Sequence, residues 1–130
     1  MSAASACREF RGKRVLVFED DALMSFTLYR AIERLGAEVV GPVAFLDDAL
    51  MLAEGPRVDA AILDRRLCPE ERLALARELA RLRVPFVEAC GDPSCSSAGV
   101  TCHRLSEATS DLSRLGRALF AFQARERRKS

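Results

Sequence analysis

The sequence lacks an excess of charge of either sign and lacks any long hydrophobic run. Lysine and arginine number 20 against 19 aspartates and glutamates, so the formal net charge is +1. This balance argues against a nucleic-acid or membrane surface spread over the whole domain. No apolar stretch approaches the roughly 20 residues of a membrane-spanning helix, and the opening MSAASACREFRGK lacks the apolar core of a secretory signal. We therefore expect a cytoplasmic protein without a membrane segment.

Cysteine pairs at the close spacing of a structural zinc site are also missing. The five cysteines do not form a simple set of pairs, and reduced thiols are expected in a cytosolic chain of this size. Cys90, Cys95, Cys102 and His103 could form a loose zinc or redox site, but they contain no Cys-x-x-Cys pair. Small buried thiols at strand ends explain them more simply.

Apolar runs and helical periodicities alternate along the 130 residues. The length fits one domain, and a hydrophobic content of 49% with a charged content of 30% is typical of a globular protein. Strands are predicted over 14–18, 37–42, 58–64, 84–90 and 100–105, and helices over 21–36, 45–56, 68–83 and 106–122. This alternation predicts an α/β fold in which helices cover both faces of a parallel sheet.

Two of the predicted strands end in carboxylates. The run RVLVF leads into Glu19, Asp20 and Asp21, and VDAAILD ends in Asp64. Adjacent carboxylates repel one another, so a cation, a helix N-terminus or solvent must offset that cost. In open parallel sheets, sites lie beyond the carboxyl ends of the strands at a topological switch point. If strands one and three are neighbours, these acids share one crevice; otherwise they are solvated acids at strand ends.

The order and spacing of four segments resemble a response-regulator receiver domain of two-component signalling. The segments are VLVFEDDALM, GAEVVGP, DAAILDRRL and VPFVEACG, and the resemblance covers roughly residues 13–122. It implies a flavodoxin-like, doubly wound five-stranded parallel sheet with strand order 2-1-3-4-5. We expect a flexible leader over 1–12, the receiver domain over 13–123 and a basic tail over 124–130. Residues 91–99 leave little room between strands four and five, so the fourth helix should be shortened or missing.

The resemblance also assigns roles to the acids. Asp64 matches the phosphoryl acceptor, and Glu19 and Asp20 match the acidic pair that helps to bind Mg²⁺. The backbone carbonyl of Arg66 matches the third protein ligand. Mg²⁺ suits this set because it is a hard ion that takes few carboxylates, keeps several waters and binds phosphate oxygens. It also neutralises charge that develops during phosphoryl transfer.

Three positions depart from the family pattern at the end of strands four and five. Cys90 stands where the family has a Thr or Ser that hydrogen-bonds the phosphoryl group, and a thiol is a weak donor. His103 stands at the position of the usual Lys, and Arg104 at that of the following Pro. A neutral histidine is a poorer counter-charge, although Arg104 could substitute for the lysine. We therefore expect a damped conformational switch.

The implied function is that of a stand-alone response regulator. Asp64 would accept a phosphoryl group from a histidine kinase or a histidine phosphotransferase, with no enzyme activity beyond this self-catalysed transfer and autodephosphorylation. Homodimerisation is a further option, and binding of nucleic acid is not expected. The alternative is a pseudo-receiver that acts only as a protein-interaction module. In that case Arg65 or Arg66 folds back onto the acids and takes the place of the metal cation.

Overall fold

The computed structural model describes residues 8–19, 26–55, 57–90, 103–104 and 111–120. Within these ranges the chain forms five strands and four α-helices, preceded by a short 3₁₀ helix, Arg8–Phe10. In chain order they are β1 (Arg14–Phe18), α1 (Phe26–Arg34), β2 (Glu38–Val43), α2 (Leu46–Glu54), β3 (Ala60–Asp64), α3 (Pro69–Arg81), β4 (Phe86–Cys90), β5 (His103–Arg104) and α4 (111–120). Each lies within its predicted range to within one residue.

The strands form a single parallel sheet in the order β2-β1-β3-β4-β5. This confirms the predicted α/β fold and strand order. From β1, the chain first adds β2 on one side and then adds β3, β4 and β5 on the other side. The switch point therefore lies between β1 and β3, where a ligand site is expected. Residues 91–102 lie outside the described part of the chain. The shortened or missing helix between β4 and β5 therefore remains a prediction.

The sheet is covered on both faces, and the alternation along β1 divides the core into two layers. Val15 and Val17 face the layer under α1 and α4, whereas Leu16 and Phe18 face the layer under α2 and α3. All four side chains are fully buried. Burial on both faces explains why the central strands appear in the sequence as continuous apolar runs.

The inward-facing stripes of the helices follow the predicted helical spacing. The apolar spacing of the sequence predicts an inner stripe on each of three helices. The buried members are Leu28 and Ile32 on α1, Leu75 and Leu79 on α3, and Leu112, Leu115 and Leu119 on α4. Leu35 and Leu82, which belong to the same stripes, are half-buried, while Met24 and Phe122 lie outside the described residues. Burial of these stripes stabilises the helices by roughly 1.5–3 kcal/mol for each fully buried aliphatic side chain.

The chain joins the core before β1 begins. Phe10, which falls in the segment expected to be a flexible leader, is fully buried and belongs to the layer under α4. Its ring meets Phe120 edge to face at a centroid distance of 5.6 Å. Gly116 makes this approach possible, because a Cβ there would lie 3.0 Å from the Phe10 ring. Residues 1–7 and 124–130 lie outside the described ranges, so a leader and a tail there remain predictions.

Helix α3 ends in a Schellman motif with an unusual residue at its left-handed position. Arg83 has φ 60°, its N–H donates to the Ala80 carbonyl, and the Val84 N–H donates to the Leu79 carbonyl. We predict that Arg83→Gly stabilises the fold by about 0.5–1 kcal/mol, because glycine adopts this conformation without a steric cost. Thermal unfolding measures the gain, and Arg83→Ala, which keeps a Cβ, should show none. An unchanged or lower melting temperature for Arg83→Gly would contradict this account.

No helix within the described residues is long and apolar enough to cross a membrane.

Candidate functional site

Two of the predicted acids lie side by side at the carboxyl edge of the sheet. Phe18 of β1 is the register partner of Leu63 of β3, and Glu19 and Asp64 are the next residues along the two strands. Glu19 is 7% exposed and Asp64 is 1% exposed. The predicted site requires that the acids after strands one and three lie at one edge of the sheet. Two buried acids at the neighbouring ends of β1 and β3 satisfy this requirement. Asp20, the third predicted acid, lies outside the described residues.

Arg66 supplies the hydrogen bonds that the Asp64 carboxylate accepts from the described residues. Its backbone N–H donates to Asp64 Oδ1 at 2.9 Å, which closes a tight turn after β3. Its guanidinium also reaches back, with Nε 3.4 Å from Oδ1 and Nη2 3.4 Å from Oδ2. The arginine side chain is 60% exposed, whereas the carboxylate is buried. The structure therefore contains the fold-back of Arg66 that the pseudo-receiver hypothesis requires.

The loop after Asp64 is held by backbone bonds to the strands. The Arg65 N–H donates to the Ala89 carbonyl of β4 at 3.0 Å, and the Leu67 N–H donates to the Asp64 carbonyl at 3.1 Å. These bonds join the loop to β3 and β4. The carbonyl of Arg66, the predicted third metal ligand, is carried by this loop.

A second arginine, Arg72 of α3, hydrogen-bonds the same loop, and the sequence patterns did not reveal it. Arg72 Nη1 lies 2.8 Å from Glu88 Oε2, and Arg72 Nε donates to the Leu67 carbonyl at 3.1 Å. The available signal in the sequence was Glu88 itself, since a carboxylate inside the apolar strand VPFVEAC is unexpected. A partly buried acid in a strand favours a charged partner on the helix that covers it.

The residues expected to form the switch end their strands beside Asp64. Asp64 is the register partner of Ala89, which in turn is opposite His103, and Cys90 is opposite Arg104. The backbone therefore brings the ends of β4 and β5 to the same edge of the sheet as the acids. The side chains of Cys90, His103 and Arg104 lie outside the described part of the structure, so the roles assigned to them remain predictions.

The donor groups fit Mg²⁺ in kind. Two carboxylates and a backbone carbonyl are hard oxygen ligands, and Mg²⁺ completes its octahedron with waters. Two adjacent buried carboxylates also need a compensating cation, and the Arg66 guanidinium supplies one at Asp64. Among the described residues, no three His, Cys, Asp or Glu side chains converge on a metal position; the predicted set needs Asp20, outside those ranges.

Comparison with known proteins gives matches among solved structures. No protein-family model matches the sequence, and no curated protein matches it significantly. The solution structure of the BeF₃-activated conformation of SdrG from Pseudomonas melonis Fr1 is 28% identical, with a TM-score of 0.64, over 81% of this chain and 93% of that one. The receiver domain of a sensor histidine kinase from Pseudomonas aeruginosa PAO1, with a magnesium ion coordinated in its active site cleft, is 23% identical, with a TM-score of 0.61, over 82% and 95%.

A longer protein also matches. The response regulator PhyR from Brucella abortus is 20% identical, with a TM-score of 0.69, over 97% of this chain. The chain spans 56% of the length of that protein.

The fold of this chain is therefore that of a response-regulator receiver domain. The matched structures that are named as receiver domains or response regulators are 18–23% identical to this chain, so they show its fold.

Proposed function

We propose that this chain is a response regulator that accepts a phosphoryl group on Asp64 from a histidine kinase or a histidine phosphotransferase. Glu19, Asp20, Asp64 and the carbonyl of Arg66 would hold Mg²⁺. The observation that carries the proposal is the position of Asp64. Its carboxylate is 1% exposed at the end of β3, beside the buried Glu19, at the switch point of a receiver fold.

The hydrogen bonds to Asp64 distinguish its two oxygens. Oδ1 accepts the 2.9 Å bond from the Arg66 backbone, so it is held in place. Oδ2 accepts only the 3.4 Å contact from the guanidinium among the described residues, so it becomes the nucleophile once the guanidinium moves away. Oδ2 would attack the phosphorus of a phosphohistidine in line, forming a P–O bond while the P–N bond breaks and its electron pair returns to the imidazole. Mg²⁺, when bound, neutralises the charge that develops on the phosphoryl oxygens.

The response to phosphorylation would be weaker than in the family pattern. A phosphoryl group adds charge and strong acceptor oxygens at the edge of the sheet. The residues offered to it at the ends of β4 and β5 are Cys90, a weak donor, and His103 with Arg104. We therefore propose a damped conformational switch. We also propose that the protein is cytoplasmic, with homodimerisation as a further option.

A second candidate function has its own observation. The Arg66 guanidinium contacts both oxygens of Asp64, and a charge-assisted pair of this kind could permanently replace the metal cation. The chain would then be a pseudo-receiver, a protein-interaction module that retains the fold without phosphoryl chemistry. The two candidates differ in whether Mg²⁺ can displace the arginine.

We predict that Arg66→Ala binds Mg²⁺ about two- to fivefold more tightly than the wild type. The substitution removes a positive charge that contacts Asp64, and its backbone carbonyl and N–H remain. The gain is limited because the side chain is 60% exposed, and exposed charges at this distance contribute about 1 kcal/mol or less. A Mg²⁺ titration followed by amide chemical shifts gives both dissociation constants.

Arg57→Ala is a matched control for this experiment. Arg57 is 66% exposed and lies 3.4 Å from the carboxylate of Asp59, at the opposite edge of the sheet, so its removal should leave Mg²⁺ binding unchanged. Binding only by Arg66→Ala would favour the pseudo-receiver with the arginine as a permanent cation. Absence of binding by both the wild type and Arg66→Ala would contradict the metal site altogether.

A further inference from the structure

Hydrogen bonds hold the loop that carries Arg66 at both ends. One of these bonds comes from a side chain of α3 and not from the residues around Asp64. Backbone bonds hold its start, since Arg65 donates to Ala89 and Leu67 to Asp64. At its far side, the carbonyl of Leu67 accepts a hydrogen bond from Arg72 Nε at 3.1 Å. This bond joins a side chain of α3 to the loop, one residue after Arg66.

The guanidinium that makes this contact is itself held by Glu88. Arg72 Nη1 lies 2.8 Å from Glu88 Oε2, and the two side chains are 16% and 31% exposed. In five other ion pairs among the described residues, at least one partner is 60% exposed or more. A short, largely covered, charge-assisted pair holds its geometry better than an exposed pair, which is screened and mobile.

Glu88 occupies a position in β4 where an apolar side chain is expected. It is the register partner of the buried Leu63. It also lies two residues after Phe86, on the same face of β4, and Phe86 packs into the layer under α2 and α3. A carboxylate at such a position is costly unless a partner satisfies it. Arg72 satisfies it and at the same time reaches the loop.

We infer that Arg72 and Glu88 are a positioning pair that sets the loop after Asp64 and thereby the affinity of the site for Mg²⁺. The inference rests on the proposed function for its metal readout. Glu88 holds the guanidinium, the guanidinium holds the Leu67 carbonyl, and the loop presents the carbonyl of Arg66. Glu88 also lies two residues before Cys90, so the pair connects the acceptor loop to the end of β4.

The test compares Arg72→Met, Glu88→Gln and the double variant with the wild type. Arg72→Met removes the charge and both hydrogen bonds while it keeps an apolar stem of similar reach. We expect Mg²⁺ binding to weaken on the order of tenfold, the usual effect of losing a residue that orients a metal ligand. Glu88→Gln should weaken binding less, since the amide oxygen still accepts from Arg72. The double variant should be no worse than Arg72→Met, because the two residues act through one contact.

A second readout separates positioning from a purely structural role. The amide of Arg66, bonded to Asp64 Oδ1, should shift in Arg72→Met even without metal. Arg81→Met is the control on the same helix. Arg81 hydrogen-bonds Glu78 and lowers the pKa of that carboxyl, so the control loses an ion pair far from the loop, and Mg²⁺ affinity and the Arg66 amide should not change.

An Arg72→Met protein with a lower melting temperature but unchanged Mg²⁺ affinity and an unchanged Arg66 amide would overturn the inference. If that variant does not fold, Arg72→Lys replaces it. Lysine retains the charge for Glu88 but cannot make the forked pair of contacts, so weaker Mg²⁺ binding is again expected, and wild-type affinity would overturn the inference. A wild type that binds no Mg²⁺ would instead refute the proposed metal site, and the metal-free Arg66 amide would still decide the positioning role.

Discussion

We expect that replacing Asp64 with asparagine will abolish phosphorylation of the protein by acetyl phosphate in the presence of Mg²⁺. The reaction needs a carboxylate oxygen as nucleophile, and an amide at this position offers none of comparable reactivity. The asparagine Oδ1 can still accept the 2.9 Å bond from the Arg66 backbone, so the turn after β3 is retained. A phosphate-affinity gel or the intact mass of the protein measures the loss, which should be complete.

Asp47→Asn is the matched control for this result. Asp47 is an exposed acid in the first turn of α2, so its substitution changes the same charge without touching the sheet edge. We expect it to be phosphorylated like the wild type. Equal labelling of Asp64→Asn and the wild type would mean that the acceptor is another residue. Absence of labelling in every variant and in the wild type would favour the pseudo-receiver.

We expect that replacing Phe10 with alanine will destabilise the domain by about 3–5 kcal/mol, the usual cost of removing a buried aromatic ring. Phe10 is 0% exposed and makes its edge-to-face contact with Phe120 against α4. The substitution leaves a cavity between the 3₁₀ helix and α4 that Gly116, having no side chain, cannot fill. Denaturant unfolding followed by circular dichroism measures the change.

Phe45→Ala provides the comparison within the same residue type. Phe45 is 71% exposed just before α2, so its removal should change the stability by no more than about 0.5 kcal/mol. A similar small effect for Phe10→Ala would mean that the residues before β1 do not belong to the core. A large effect would extend the cooperative domain at least to Phe10, ahead of the boundary that the sequence suggests at residue 13.

The fold could be predicted because the sheet and the helices leave separate periodic signals. β1 is apolar from Val15 to Phe18 and β3 from Ala60 to Leu63, because both faces of the sheet are covered. α3 shows Leu75 and Leu79 at helical spacing. The juxtaposition of Glu19 and Asp64 followed from the strand order, because parallel neighbours end at the same edge.

The parts of the site that escaped prediction depend on side-chain directions and on contacts between distant elements. Either Arg65 or Arg66 could have folded back, and the sequence does not reveal the turn, with the Arg66 N–H on Asp64 Oδ1, that brings the Arg66 guanidinium onto Asp64. The link between Arg72 and Glu88 joins α3 to β4 across 16 positions of sequence, and periodicity carries no such information. The burial of Phe10 depends likewise on Gly116, more than one hundred positions later in the chain.

The most direct test of the central claim, that Asp64 is a working phosphoryl acceptor, is to add beryllium fluoride as a phosphoryl mimic to the Mg²⁺-saturated protein and record its amide chemical shifts. The account predicts that Mg²⁺ shifts the amides around Asp64 and Arg66, and that the mimic then extends the changes to Cys90 and His103 with small amplitudes. A spectrum that responds to neither addition would contradict the account and would leave Asp64 and Arg66 as a permanent ion pair in a protein that acts by binding alone.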